Sequence, residues 1–135
     1  MARLRTDYID VLQIHNFDAK TDVADWLRTF ADLMAQGKIR HYGLCNVTGW
    51  QLQKIVSTAE ALGLPLPALV QCQYSLLCRP IEWEVLHCCA ENGISFLPWS
   101  PLKGGWLTGK FKRDAAPDPN TRVGAVSSGA QKKLQ

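Results

Sequence analysis

Apolar and polar positions along the chain switch between a strand-like and a helix-like spacing. Tyr8-Ile-Asp-Val-Leu-Gln-Ile14 is β-branched and largely apolar, the composition of a buried strand. From Asp22 to Gln36 the residues Val23, Trp26, Leu27, Phe30, Leu33 and Met34 recur at helical spacing, and Gly37 follows as a stop. Trp26 lies on that stripe and is expected in the core. Ile39 to Leu44 reads as a second strand. Thr48-Gly-Trp-Gln51 fits a capping box, with Val47 and Leu52 placed to pack across the helix start. Leu52, Ile55, Val56, Ala59 and Leu62 then form one stripe, closed by Gly63. Leu69-Val-Gln71 lies in a third strand, after a turn at Pro65 and Pro67. Pro80 suits the first position of a third helix, with Glu82 and Glu84 near its start and Asn92-Gly93 at its end. Ile81, Val85 and Cys89 give it a narrow apolar face. Ile94 to Trp99 is the fourth strand, followed by a Gly-rich loop over 100–110 and a polar segment without periodicity.

Strand starts near residues 8, 39, 68 and 94 recur at about the length of a βα unit. Such alternation implies an α/β fold, a parallel sheet with right-handed crossovers. Two architectures satisfy it: an open doubly wound sheet, or an arc of an eight-stranded barrel. A whole barrel takes about 250 residues. Periodicity does not choose between them.

The 135 residues are 47% hydrophobic and 20% charged, which excludes wholesale disorder and fits one globular domain. No apolar run approaches the roughly 18 residues of a membrane span. The first residues, Met-Ala-Arg-Leu-Arg-Thr-Asp, lack the apolar stretch of a signal peptide, so a cytoplasmic chain is expected. None of the five cysteines forms C-x-x-C, and His87-Cys88-Cys89 matches no common zinc spacing; reduced thiols and no metal are expected. Charge is uneven. Residues 1–102 carry a net −2 and residues 103–135 a net +5, which suits either a solvated tail or an anionic partner such as a nucleotide phosphate or a nucleic acid.

In both architectures ligands meet the C-terminal ends of the strands. Those ends read His15-Asn16, Cys45-Asn46, Gln71-Cys72-Gln73 and Trp99-Ser100. Carboxamides both donate and accept, matching a ligand with an amide of its own, and an indole face suits a planar heteroaromatic ring. In the loop beyond, Gly104-x-x-x-x-Gly109-Lys110 opens like a P-loop, but Phe111 stands where a magnesium-binding hydroxyl is required. A loop of small residues with Lys110 can still clamp a pyrophosphate without metal. His41, inside the second strand, and His87, on a helix, are read as surface or packing residues.

Taken in order, Asp7-Tyr-Ile-Asp-Val-Leu-Gln-Ile-His15, Gln36-Gly-Lys-Ile-Arg-His-Tyr-Gly43, Cys45-Asn46, Val70-Gln71, Leu97-Pro-Trp-Ser-Pro-Leu102 and Leu107-Thr-Gly-Lys110 resemble the aldo-keto reductases. The likeness runs from about residue 4 to 111 and is nearest to the bacterial-type and potassium-channel β-subunit-like branches. It implies a partial (β/α)8 TIM barrel of about four βα units, strands four to seven, over 1–111, with a polar basic tail over 112–135. It also implies NADP(H), a small aldehyde or ketone as substrate, and a dinucleotide rather than a nucleic acid as the anionic partner. By the same resemblance His15 would orient the carbonyl, Asn46 and Gln71 would hold the nicotinamide carboxamide, and Trp99 would stack on its ring. Ser100, Leu102 and Gly104 would line the pyrophosphate, with Lys110 and Arg122 nearby.

Two departures qualify this. Cys45 stands where the family often has serine. The family's first three strands, which bring the catalytic aspartate, tyrosine and lysine, have no counterpart here, nor has its eighth. Tyr8 and Tyr42 are read at or before strand starts and Tyr74 at a structural position, so none replaces the missing tyrosine. The expectation is a fragment inactive by itself. The alternative is a non-catalytic nucleotide-binding or interaction module resembling a channel-associated β-subunit. Exposed sheet edges would favour a homodimer.

Overall fold

The computed structural model describes residues 2–112 and 114–125. After a 3-10 turn over Ala2–Leu4 come β1 (Ile9–Ile14), α1 (Val23–Ala35), β2 (Ile39–Cys45), α2 (Gly49–Leu62) and β3 (Leu69–Gln73). A 3-10 turn at Pro80–Glu82 leads to α3 (Val85–Glu91) and β4 (Ser95–Trp99), and a last 3-10 segment spans Lys103–Thr108. The four strands make one parallel sheet in the order β1-β2-β3-β4. Consecutive right-handed crossovers in that order place the helices on one face.

Local chemistry sets the helix ends. The Ala24 N–H donates to Asp22 Oδ1 at 2.9 Å, which caps α1, and Gly37 takes the left-handed φ of 67° that ends it. At α2 the capping box forms, the Thr48 N–H donating to Gln51 Oε1 at 3.0 Å. Gly63, at φ 63°, closes that helix. The apolar stripe of α2 is buried from Leu52 to Ala59, whereas Leu62 is 39% exposed.

Three expectations need correction. The third helix does not start at Pro80. That proline opens only a 3-10 turn, Glu84 is non-helical (φ −135°, ψ −55°), and α3 begins at Val85. Glu84 is instead packed on Gly49, leaving no room there for a side chain. Trp26 is half-buried rather than internal, meeting Phe17 and Phe30 edge-on at the margin of the core. Tyr42 lies in the middle of β2, not near its start, and is 1% exposed.

The register separates two faces, since alternate residues point opposite ways. Leu12 and Ile14, Tyr42 and Leu44, Val70 and Cys72, and Phe96 face the helices. There they meet Leu27 and Phe30 of α1, Leu52, Ile55 and Val56 of α2, and Val85 and Cys89 of α3. Tyr42 stacks on Phe30 with ring centroids 4.6 Å apart, and its hydroxyl donates to the Pro65 carbonyl at 2.9 Å. Burial pushes that phenol far above its ordinary pKa. The opposite face carries Val11 and Gln13, His41, Gly43 and Cys45, Leu69, Gln71 and Gln73, and Ser95, Leu97 and Trp99.

The chain forms two compact units, one of Met1–Gln73 with Pro80–Trp99 and one of Tyr74–Arg79 with Ser100–Gln135. In the second, Ser75 and Cys78 form an antiparallel bridge through hydrogen bonds of 3.1 and 3.0 Å, and Trp106 packs on Phe111. Within the segment expected to be irregular, a helical turn over 122–125 buries Val123 and is capped by Thr121, whose Oγ1 accepts the Gly124 N–H at 3.1 Å. Residues 126–135 of that segment lie outside the described ones.

Candidate functional site

Parallel strands end together, so the residues just past β1 and β2 and the last residues of β3 and β4 gather along one rim. At its centre is Asn46, directly after β2, in a left-handed conformation (φ 56°) that few side chains tolerate and asparagine does. Its main-chain N–H donates to the Gln71 carbonyl at 3.0 Å. Its side-chain Nδ2 donates to the His15 carbonyl at 3.1 Å and to Asn16 Oδ1 at 3.3 Å. Its Oδ1 accepts the Trp99 indole N–H at 2.9 Å, a contact spanning from β2 to β4. From the end of β2, Asn46 thus reaches β1 and β4 by its side chain and β3 by its backbone.

His15 is exposed, its carbonyl held by Asn46. Gln71 is half-buried on the open face, in register with Cys45 on one side and Leu97 on the other. Cys45, the departure noted from the resemblance, is buried, and desolvation raises its thiol pKa, with the nearby Cys72 adding to the effect. Such a thiol stays neutral and is a weak donor. One step below His15 on the same face, the Gln13 Oε1 is buried and has no hydrogen-bond partner among the described residues.

The second unit holds the remaining candidates. Ser100 (φ 56°) and Lys103 (φ 50°) are left-handed non-glycine residues, a backbone strain that concentrates at ligand sites. The Ser100 carbonyl accepts the Lys103 N–H at 2.8 Å, and the Leu102 carbonyl accepts the Gly105 and Leu107 N–H groups at 2.9 and 3.2 Å. Gly104 (φ 68°) and Gly105 (φ 116°) make the turn that only glycine takes without strain. Gly104, Lys110 and Arg122 line one hollow of about 320 Å³ together with Thr108, Asn120 and Thr121. Ser100 and Leu102 do not line it. The Thr108 and Thr121 hydroxyls are committed to the Gly105 and Asp118 carbonyls at 2.7 and 2.6 Å, so the two cations and the Asn120 carboxamide are what suit this wall to a phosphate.

Sequence reasoning named the strand ends but gave no part to Asn16, Thr108, Asn120 or Thr121. Asn16 was read as a strand-end carboxamide beside His15, but without a role of its own. Among the described residues, no group of three or more His, Cys, Asp or Glu is placed to hold a metal ion, and no helix is long and apolar enough to cross a membrane.

Residues 1–133 match the aldo/keto reductase family. The chain belongs to that family. An aldo-keto reductase of Babesia bovis is 35% identical over 150 residues, covering 91% of this chain and 53% of that protein. The mouse aflatoxin B1 aldehyde reductase member 2 is 34% identical over 112 residues, covering 83% of this chain and 30% of its own length. Among solved structures, a glycerol dehydrogenase from Gluconobacter oxydans superimposes with a TM-score of 0.76 at 32% identity, over 91% of this chain and 36% of that one. This aldo/keto reductase chain therefore spans about half the length of the first relative and less of the others. The comparison also decides the architecture: the four-stranded sheet is an arc of a (β/α)8 barrel rather than an open doubly wound sheet.

Proposed function

We propose that the chain is part of an NADP(H)-dependent reductase of small aldehydes or ketones, with the nicotinamide end of the dinucleotide at the rim of the sheet. One observation carries this reading: Asn46, Gln71 and Trp99 converge at adjacent strand ends beside His15, in a chain of this family. The donor set fits the group. Two carboxamides match the amide of nicotinamide, and the indole offers a stacking surface. Ser100, Leu102 and Gly104 are assigned to the pyrophosphate, and Lys110 and Arg122 to the phosphate charge, in keeping with the hollow that Gly104, Lys110 and Arg122 share. When bound, the nicotinamide supplies the hydride for carbonyl reduction; His15 orients the carbonyl.

The aspartate, tyrosine and lysine that the resemblance expects on preceding strands have no counterpart in these 135 residues. A positioned general acid is typically worth 10²–10⁴-fold, so the chain alone is assigned nucleotide binding without turnover. Titration with NADP⁺ is expected to quench tryptophan fluorescence weakly and saturably, and Trp99→Phe is expected to lose that signal. An identical signal from both proteins removes Trp99 from the site. NADPH-dependent aldehyde reduction is expected at the level of the buffer control; saturable turnover that His15→Ala abolishes overturns the assignment.

A homodimer is part of the same proposal. Among the described residues the outer strands β1 and β4 each have one sheet neighbour, and the edge of a sheet favours pairing with a second chain. Light scattering coupled to size exclusion is expected to give a mass above 15.1 kDa. A monodisperse species at that monomer mass, unfolding cooperatively, rules it out.

A further inference from the structure

We propose that Trp99 latches its own subsite shut: in the free chain its indole is tied to Asn46 across the end of β3, and it must swing away before a nicotinamide ring enters. The proposal rests on the reading of this rim as a nicotinamide subsite. It starts from strand order. Asn46 follows β2 and Trp99 ends β4, with β3 between them. Neighbouring strands lie about 4.8 Å apart, so the two residues start about 10 Å apart. An indole that reaches Asn46 Oδ1 at 2.9 Å therefore lies over the end of β3, the strand that carries Gln71. That is the place where an amide held by both Asn46 and Gln71 has to sit.

The state of Asn46 points the same way. Its Nδ2 is engaged by the His15 carbonyl and by Asn16 Oδ1, and its Oδ1 receives Trp99. An asparagine side chain has two N–H bonds and two acceptor lone pairs. With the array closed, Asn46 retains one lone pair and no free N–H for a ligand. Trp99 is 36% exposed while its N–H is held, so the ring covers the rim and is not part of the core. Asn16 thereby gains a part as the far anchor of the latch.

A neutral hydrogen bond of this kind favours the closed form by about 2- to 10-fold, and apparent nucleotide affinity falls by the same factor. The test follows the five tryptophan indole N–H signals by ¹H–¹⁵N NMR, with Trp99 assigned through Trp99→Phe. Trp83, 82% exposed, is the internal reference. In the free chain the Trp99 indole proton is expected to exchange about 2- to 10-fold more slowly than that of Trp83. Asn46→Gly accepts the left-handed backbone and removes the acceptor, and it should shift the signal and bring exchange to the Trp83 rate. Asn46→Asp keeps an acceptor and should leave the proton protected. Saturating NADP⁺ should displace the parent signal from its latched position.

Exchange at the Trp83 rate in the free chain, unchanged by Asn46→Gly, overturns the latch whatever nucleotide does. A Trp99 signal still in its latched position while other signals report saturation with NADP⁺ also overturns it, and leaves the nucleotide reading standing. If Asn46→Gly releases the indole but NADP⁺ moves no signal, the nucleotide reading fails and the latch fails with it as a gate.

Discussion

On its helix side the sheet presents Leu12, Ile14, Tyr42, Leu44, Val70 and Phe96; on the other it presents Gln13, His41, Gln71, Gln73, Ser95, Leu97 and Trp99. The same strands build both faces, because successive side chains alternate. The first face is sealed: Tyr42, Leu44 and Val70 are each at most 1% exposed, and the hydroxyl of Tyr42 has a partner. The second is mixed in polarity, with Leu97 at 45% exposure and a buried Gln13 oxygen left unpaired. One face supplies stability through packing. The other, the inner face of the barrel arc, carries the polar groups that converge on the rim.

If that division holds, the largest loss comes from the sealed side. Leu52→Ala removes a fully buried side chain between α2 and the sheet and is expected to cost about 2–5 kcal/mol, read as a lower midpoint in urea. A loss well under 1 kcal/mol would show that the helix face is looser than its burial implies.

Alkaline pH gives an intermediate effect, to which Cys89 contributes on the sealed side and Cys45, also raised by burial, on the other. Burial, then the neighbouring Cys88 and Cys72, push the Cys89 thiol from 9.0 up to about 11. A folded-state pKa above the unfolded value means the neutral thiol's contribution is intact below about pH 9 and is lost as pH rises through 11. Tyr42, raised by burial, adds to the loss at still higher pH. The melting temperature is expected to hold from pH 7 to 9 and then fall, and Cys89→Val should flatten the first part of that fall. An unchanged slope in the variant assigns the alkaline loss elsewhere.

The smallest effect belongs to the open side. Leu97→Ala, on β4, is expected to change stability by no more than about 0.5 kcal/mol in the same urea titration. A cost close to that of Leu52→Ala would erase the distinction between the faces.

The strands and the first two helices were legible because their signals are local. Asp22, Thr48 with Gln51, Gly37 and Gly63 act within a turn of their own position, and they do in the structure what their residue types imply. The start of α3 was illegible because it depends on Glu84 packing on Gly49, 35 positions earlier in the chain. Tyr42, read at or before the start of its strand, lies in mid-strand, and the acceptor for its hydroxyl is Pro65, in the loop after α2, which spacing along the chain does not show. At the candidate site, residue types at strand ends were readable once the βα period was seen. The Trp99–Asn46 bond, between residues 53 apart, leaves no periodic trace. Gly104, Lys110 and Arg122 line one hollow only because turns at Gly105 and Asp118 fold the chain back, which spacing alone does not convey.

Gln13 has an evolutionary consequence. A sealed oxygen without a donor costs about 1–3 kcal/mol, so selection for thermostability alone would replace this glutamine with an apolar side chain of similar volume. The residue stands two positions before His15, on the face that leads to the rim. Stabilising substitutions and altered sites would therefore be drawn from the same few positions, and laboratory evolution toward robustness would press first on the functional side of the sheet.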